Sequence, residues 1–569
     1  MINNNLRNSR FIDDTLLILT MAVLAGCGLI YEYLLSHYAG RVLGVMESTI
    51  YTMIGLMIVS MGLGAFAARK VRCAFNGFVY LELIIALFGA SAILIIGGLI
   101  AITQTLPHII ADMFALPPDM LPQGGVFNQL SFLAINSPYF FGVILGFFIG
   151  MEIPLIARIR EQIHGQHLAN NLGTIYGADY IGAGVGAAIW VLFLLSIDIS
   201  KAAALTASLN LIAGAFFILR YWHKLHWRKT FVSLHLVLAL VIVLMFNYGN
   251  QWLNQMNSLL YLDKVVHSQK TRYQQLTFTE RNMGLSSGNA QKSIVNFYLN
   301  GRLQFSSIDE HIYHDYLVAP ALAGSARHDD ILIIGGGDGL ALRDVLKYNP
   351  KKVTLIDLDS ELIDIFQAPK QHLNKSLARK ISYLNENSLQ DKRVNILRSD
   401  AFITINDLLK SGQMFDAILV DLPDPSHPDL NKLYSVNFYA RLKQLLAGDG
   451  LIAIQSTSPY HAKNSFISIG KTLAAADFSH VQQYHDNVPS FGEWGWTIAA
   501  KIGASPLARL NMLEELPIDH KWLNLDMIKA AFVFPNDFYR DKANIGINTL
   551  GSHTLYQLHQ KAWQDQQGI

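Results

Sequence analysis

The chain has 569 residues, of which 51% are hydrophobic and only 15% charged, with a formal net charge of +1. That is too apolar for a chain soluble throughout and too charged in its second half for one wholly within lipid, so two parts are expected. Near-neutral charge without a long basic run excludes an overall nucleic-acid footprint. Two cysteines, Cys27 and Cys73, leave neither a disulfide framework nor a cysteine-based metal site.

In chain order, stretches of roughly 18 or more mostly apolar residues fall at about 15–35, 49–68, 79–101, 134–157, 175–197, 202–219 and 230–247. They predict a first domain, 1–247, of seven transmembrane helices. The first stretch has no small-residue cleavage signal and reads as a retained helix. Glu82 and Glu152 fall near predicted span ends, where interfacial placement is expected; for Glu32 and Asp179 a polar path through the bundle is an equal alternative. Small residues in IGAGVGAA, 181–188, predict close helix packing. Arg7, Arg10, Arg69, Lys70, Arg72, Arg158, Arg160, Arg220, Lys224, Arg228 and Lys229 crowd alternate connections, against Arg41 and Lys201 in the others, so the N-terminus is expected in the cytoplasm. Seven spans then deliver the second half to the outside, unless a re-entrant or broken segment in 102–133 changes the parity. Residues 248–264 read as an amphipathic linker near the interface.

The second half is α/β. Short β-like runs in 265–315, YQQLTFTE, SIVNFYLNG and RLQF, predict a small antiparallel β subdomain. From 316 to 510, strand-like runs at 331–335, 352–357, 394–397, 416–421 and 451–455 alternate with helical patterns. That alternation predicts a doubly wound, Rossmann-like sheet of the methyltransferase type, followed by a C-terminal extension, 511–569.

The first βαβ unit reads ILIIGGGDGLALRDVLKYNPKKVTLIDLDS, with Gly335 and Gly337 in its turn and Asp357 about where a carboxylate reaches ribose hydroxyls. A dinucleotide fingerprint wants glycine at 340, where Leu340 stands, so a mononucleoside such as an adenosylmethionine derivative is favoured over NAD. Further on, FDAILVDLPDP sets Asp421 and Asp424 on a proline-stiffened loop at a strand end. NGRLQFSSIDEHIYHD, 300–315, adds Gln304, Asp309, Glu310, Tyr313 and His314. Acids and amides in this number suit a ligand with positive charge and several N–H donors.

Taken together these motifs resemble the polyamine aminopropyltransferase family, the spermidine synthases, over about 265–500. The matching elements are Tyr273-Gln274, Asn300-Gly301 with Gln304, Asp309-Glu310, Tyr313-His314, the GGGDG turn, Asp357-Leu358-Asp359, Ser399-Asp400-Ala401, Asp421 to Pro425, Leu433-Tyr434 and Tyr439. The apolar half and the run VPSFGEWGW look like the membrane-embedded bacterial branch. The resemblance implies decarboxylated S-adenosylmethionine as co-substrate, with no cofactor or metal, and a diamine, typically putrescine, as acceptor. It implies that Asp357 binds the ribose, Asp400 the adenine amino group, and Gln274 and Asp338 the rest of the donor, at the Gly335 and Gly337 turn. Asp421 would be the base or the group that orients the attacking amine, and Gln304, His314, Asp424, Tyr434 and Gln455 would line the acceptor site. Departures are Leu340, Asn300 for an aspartate, Leu422-Pro423, and Phe491 where soluble members present a tyrosine. The partners expected are these two substrates and the lipid bilayer, without nucleic acid and with a homodimer left open. A multi-pass inner-membrane protein with a cytoplasmic catalytic domain is expected. Two other readings are a membrane polyamine transporter or sensor with a nucleoside-binding domain, and an S-adenosylmethionine-dependent methyltransferase.

Overall fold

Apolar runs of roughly 20 residues become helices, and eight of them build the first unit of the computed structural model, which describes residues 2–43, 46–114, 124–164, 170–261, 263–282 and 293–567. They are α1 (Ile2–Leu43), α2 (Met46–Ala67), α3 (Ala74–Met113), α4 (Gly125–Ile149), α5 (Glu152–His164), α6 (Asn171–Leu192), α7 (Ile199–Arg220) and α8 (Arg228–Leu260). Among the described residues, seven stretches are long and apolar enough to cross a membrane, with α4 and α5 counting as one. The chain divides into two units, Met1–Lys264 and Val265–Ile569.

Two details of the first unit differ from expectation. No break follows Asn247, because α8 continues to Leu260 through the stretch expected as a linker. Residues 102–113 simply continue α3, with Pro107 inside the helix, while 115–123 lie outside the described residues. Glu82 and Glu152 are enclosed by protein, 0% and 1% exposed. Because α3 begins at Ala74 rather than 79, Glu82 stands well inside the helix. There Asn210 of α7 donates to its Oε2 at 3.0 Å and accepts from the Tyr31 hydroxyl of α1 at 3.2 Å.

Small residues do let helices meet closely. A Cβ on Gly182 would lie 1.9 Å from the Ala22 carbonyl oxygen, and one on Gly186 2.5 Å from that of Gly26, so α6 rests directly on the α1 backbone. Basic residues from alternate connections come together. Arg160 pairs with Asp14 at 2.6 Å, Arg220 with Asp13 at 2.7 Å, and Arg158 donates to the Val71 carbonyl at 2.8 Å.

The second unit opens with a meander of four antiparallel strands, β1 (Lys264–Lys270), β2 (Gln275–Asn282), β3 (Ser293–Leu299) and β4 (Arg302–Ser306). Asn300 and Gly301 join β3 to β4 with φ of 50° and 82°, the left-handed pair of a tight hairpin turn, which asparagine tolerates well. Asn300 Oδ1 also accepts from the Gln275 amide at 2.9 Å, so the departure from aspartate suits the turn.

Seven strands form the main sheet: β5 (Asp330–Gly335), β6 (Lys352–Asp357), β7 (Val394–Arg398), β8 (Phe415–Asp421), β9 (Leu446–Gln455), β10 (Ser479–Val488) and β11 (Gly492–Ala500). Their order is β10-β11-β9-β8-β5-β6-β7, parallel from β9 to β7 and antiparallel at the β9–β11–β10 edge. The Rossmann-like core is as expected; the edge hairpin is an addition. Its strands must run antiparallel because the Pro489–Phe491 connection is too short for a crossover. Polar residues in SHVQQYHDNV and glycines in GEWGW hide the alternation that would have announced it.

Both faces of the parallel strands are covered, so they are apolar throughout. Ile331, Ile333, Val353, Leu355, Ala417 and Leu419 point into one core, and Leu332, Ile334, Ile356, Ile418 and Val420 into the other. Helix α9 (Glu310–Ala323) belongs to the first core, as does α10 (Leu340–Lys347), while helix Val436–Leu445 belongs to the second. Leu340 is 1% exposed in that first core, which explains the residue where a dinucleotide fold has glycine.

Candidate active site

Strand ends collect the acids. Asp357 closes β6, Asp421 closes β8, Gln455 closes β9, and Asp400 follows β7 as the N-cap of helix Ala401–Lys410. This is the carboxyl edge, where ligands of open α/β sheets bind.

On the donor side, the glycine turn is shaped by close approach. A Cβ on Gly335, at φ 82°, would lie 2.0 Å from the Asp421 carbonyl oxygen, and one on Gly337 2.7 Å from Asp357 Oδ2. Asp357 Oδ2 instead accepts from the Gly337 amide at 3.0 Å, and Oδ1 from the Asp359 amide at 2.9 Å. Burial pushes the Asp357 carboxyl up to about 6 despite these bonds. Asp338, whose Oδ1 accepts from the Leu340 amide at 2.9 Å, is also raised to about 6; burial and Asp421 push it up, while His314 opposes them. Gln274 donates to Asp359 Oδ2 at 2.9 Å, beside Thr271 at 2.7 Å, so its side chain braces the loop after β6. The Asp400 carboxylate accepts from the Phe402 amide at 2.8 Å and from Lys432 Nζ at 2.7 Å.

On the acceptor side, Asp421 Oδ1 accepts from the Tyr313 hydroxyl at 2.7 Å. Its Oδ2 lies over Gly336, where an added Cβ would come within 3.1 Å. Asp424 Oδ1 accepts from Gln455 Nε2 at 3.2 Å, and Oδ2 from His559 Nε2 at 3.3 Å. Gln455 also donates to the Leu422 carbonyl at 2.9 Å and to the Tyr434 hydroxyl at 3.0 Å. Tyr434, fully buried, donates to the Pro423 carbonyl at 2.9 Å, so it props the Asp421–Asp424 loop.

Two residues expected at the acceptor site make hydrogen bonds within their own segments, and His314 lies close enough to Asp421 and Asp338 to be raised by both. Gln304 Nε2 lies 3.2 Å and 3.3 Å from the carbonyls of Leu303 and Arg302 on its own strand, because the β3–β4 hairpin turns it along the sheet. His314 is 3% exposed and bonded through Nδ1 to Glu310, at 3.0 Å to Oε2. Glu310 is in turn gripped by Arg343 at 2.8 Å, so the pair is a buried strut. Burial opposes the charge on each, yet ion pairing holds Glu310 down at about 2 and lifts His314 to about 9. Phe491 sits against Tyr313, ring centroids 6.1 Å apart, and against Trp494 at 5.1 Å.

Two contributors were not named in the sequence, Lys432 and His559, which reach Asp400 and Asp424. Lys432 directly precedes the Leu433-Tyr434 motif, whereas nothing in the local sequence of His559 points to the site. Tyr313 was expected near the ligand, but its bond to Asp421 depends on the packing of α9 against β8.

A sheet of this order, with a glycine cradle and acids at successive strand ends, is the frame of a nucleoside-binding α/β enzyme. Residues 310–509 match the family model described as "Spermine/spermidine synthase domain". The polyamine aminopropyltransferase of Shewanella oneidensis is 57% identical over 98% of this chain and 96% of that protein. Polyamine aminopropyltransferase 1 of Streptomyces coelicolor is 31% identical over 99% of this chain and 96% of its own length. Among solved structures, a spermidine synthase from Thermotoga maritima aligns at a TM-score of 0.40 and 23% identity, over 50% of this chain and 88% of that one. The chain belongs to the polyamine aminopropyltransferase family.

Proposed function

We propose that this protein transfers the aminopropyl group of decarboxylated S-adenosylmethionine to putrescine, releasing 5′-methylthioadenosine and forming spermidine. The supporting observation is the placing of Asp421. Its carboxylate is fixed by Tyr313 on one oxygen, and its other oxygen lies over the glycine turn.

The reaction needs little covalent help. The donor's sulfonium makes the adjacent methylene electrophilic; the amine nitrogen forms the new C–N bond as the C–S bond breaks, and sulfur leaves as a neutral thioether. What must be supplied is a neutral amine held in line. An alkylammonium ionises at about 10.4, so freeing it near pH 7.4 costs about 4 kcal/mol at 1.36 kcal/mol per unit. Asp421 Oδ2 receives that proton, and Asp424 holds the distal ammonium. Asp357 takes the ribose hydroxyls and Asp338 the donor's amine, whose positive charge draws both raised carboxyls into their ionised form. Asp400, with Lys432, meets the adenine edge, and Gln455 with Tyr434 sets the loop that carries Asp424. Gln304 and His314 act as parts of the frame around the acceptor.

The first unit is proposed to span the inner membrane. Ile58, Val59 and Phe66 of α2 are 60%, 64% and 73% exposed, an outward apolar surface that lipid would cover. The catalytic unit is proposed to face the cytoplasm, where its nucleoside donor arises. The charge pattern with seven crossings argues for the opposite side, and a C-terminal reporter fusion decides between them.

Purified protein incubated with decarboxylated donor and a panel of di- and triamines is expected to release methylthioadenosine fastest with putrescine. Binding of donor without release would support a sensor or transporter, and release of S-adenosylhomocysteine from S-adenosylmethionine a methyltransferase.

A further inference from the structure

The acceptor acid is held from a part of the chain outside the 310–509 family match. Residues 546–556 are tied to residues 431–436, just beyond the Asp421–Asp424 loop. Asn548, 0% exposed, donates from Nδ2 to the carbonyls of Asn431 at 2.8 Å and Tyr434 at 3.1 Å. Its own carbonyl accepts from the Val436 amide at 3.0 Å. Asn431 answers by donating to the Ser552 carbonyl and accepting from the Tyr556 amide at 3.2 Å. Leu555, 0% exposed, plugs the core that also holds Phe438 and Tyr439.

These bonds fix the start of helix Thr554–Gln567, and four residues past Leu555 that helix delivers His559. Its side chain is 2% exposed, with Nε2 3.3 Å from Asp424 Oδ2. Gln455 holds Oδ1, so both oxygens of the carboxylate are tied and the group cannot swing. Each oxygen still has a second lone-pair site for an ammonium. Burial alone would raise the Asp424 carboxyl, but His559, Gln455 and the charge of Arg302 keep it below the usual range, ready for a cation.

We propose that His559 is a positioning residue of the acceptor subsite, and that the C-terminal extension thereby forms part of the site by orienting Asp424 toward the acceptor's distal ammonium. The proposal rests on the aminopropyl-transfer reading. Losing a hydrogen bond to a charged group corresponds to a change of about tenfold to a hundredfold.

The test is steady-state kinetics of the full chain with putrescine and decarboxylated donor, for wild type, His559→Ala and His559→Gln. For His559→Ala, the putrescine KM is expected to rise by about tenfold or more, with donor KM unchanged and kcat little affected. Glutamine, which can also donate to Asp424, is expected to restore most of the acceptor KM. An unchanged putrescine KM in His559→Ala overturns the proposal, as do parallel losses in donor KM, acceptor KM and kcat that glutamine does not repair. If the wild-type chain releases no methylthioadenosine, the transfer reading itself fails and this proposal with it. If it does release it, only the proposal is at stake.

Discussion

The two halves of the site are built differently. On the donor side, the glycine turn, Asp338 and Asp357 come from one βαβ unit, and the bond that joins the turn to Asp357 spans only 20 residues, with Asp421 and Gln274 bracing it from further away. On the acceptor side, Asp421 is set by Tyr313 from 108 residues away, and Asp424 by His559 from 135. A nucleoside pocket can therefore be inherited as a local motif, whereas acceptor recognition depends on tertiary packing and can be retuned by elements outside the motif.

The largest effect that would sharpen this contrast is on chemistry alone. Asp421→Asn is expected to lower kcat by about 10²–10⁴ with donor binding intact, measured by methylthioadenosine release and by donor titration. Asp338→Asn is expected to raise donor KM by roughly 10- to 100-fold while leaving acceptor KM within about twofold; equal changes in both would erase the division between the two sides.

Protonation separates them further. Asp338 and Asp357 are both raised to about 6 from the ordinary 3.8, and the proposed donor site uses both charged. Donor affinity should be flat at neutral pH and fall by about tenfold per unit or more as pH drops below about 6. Calorimetric titration of donor across pH 5 to 8 follows this directly.

The smallest effect belongs to the strut behind both sides. Glu310 ionises at about 2 instead of 4.5, so its contribution to stability is present above 4.5 and is lost as pH falls toward 2. His314 ionises at about 9 instead of 6.5, so its contribution is full below 6.5 and is lost as pH rises through 9. The melting midpoint of the full chain should hold a plateau between these limits, and His314→Gln should flatten its alkaline limb.

The same contrast governs how much was legible in sequence. The parallel core strands declared themselves through unbroken apolar runs, and the GGGDG turn through glycines that backbone contact demands. The edge hairpin did not, because its buried positions are interleaved with Gln482, Gln483 and His485 and with glycines. The start of α3 was misjudged because the hydrophobic window began at 79, whereas the helix begins at Ala74. Gln304 and His314 sat in a motif whose residue types suited a ligand, and their bonds to the Leu303 carbonyl and to Glu310 could not be read from it. His559 could not be found at all, since only the packing of Leu555 and Asn548 brings it to Asp424.

The central claim is tested most directly by supplying putrescine and decarboxylated S-adenosylmethionine to the purified wild-type chain and to Asp421→Asn, and following spermidine and methylthioadenosine together. The account predicts equimolar formation of both by the wild type and loss of both in the variant. Formation of neither by the wild type, or full turnover by Asp421→Asn, would contradict it.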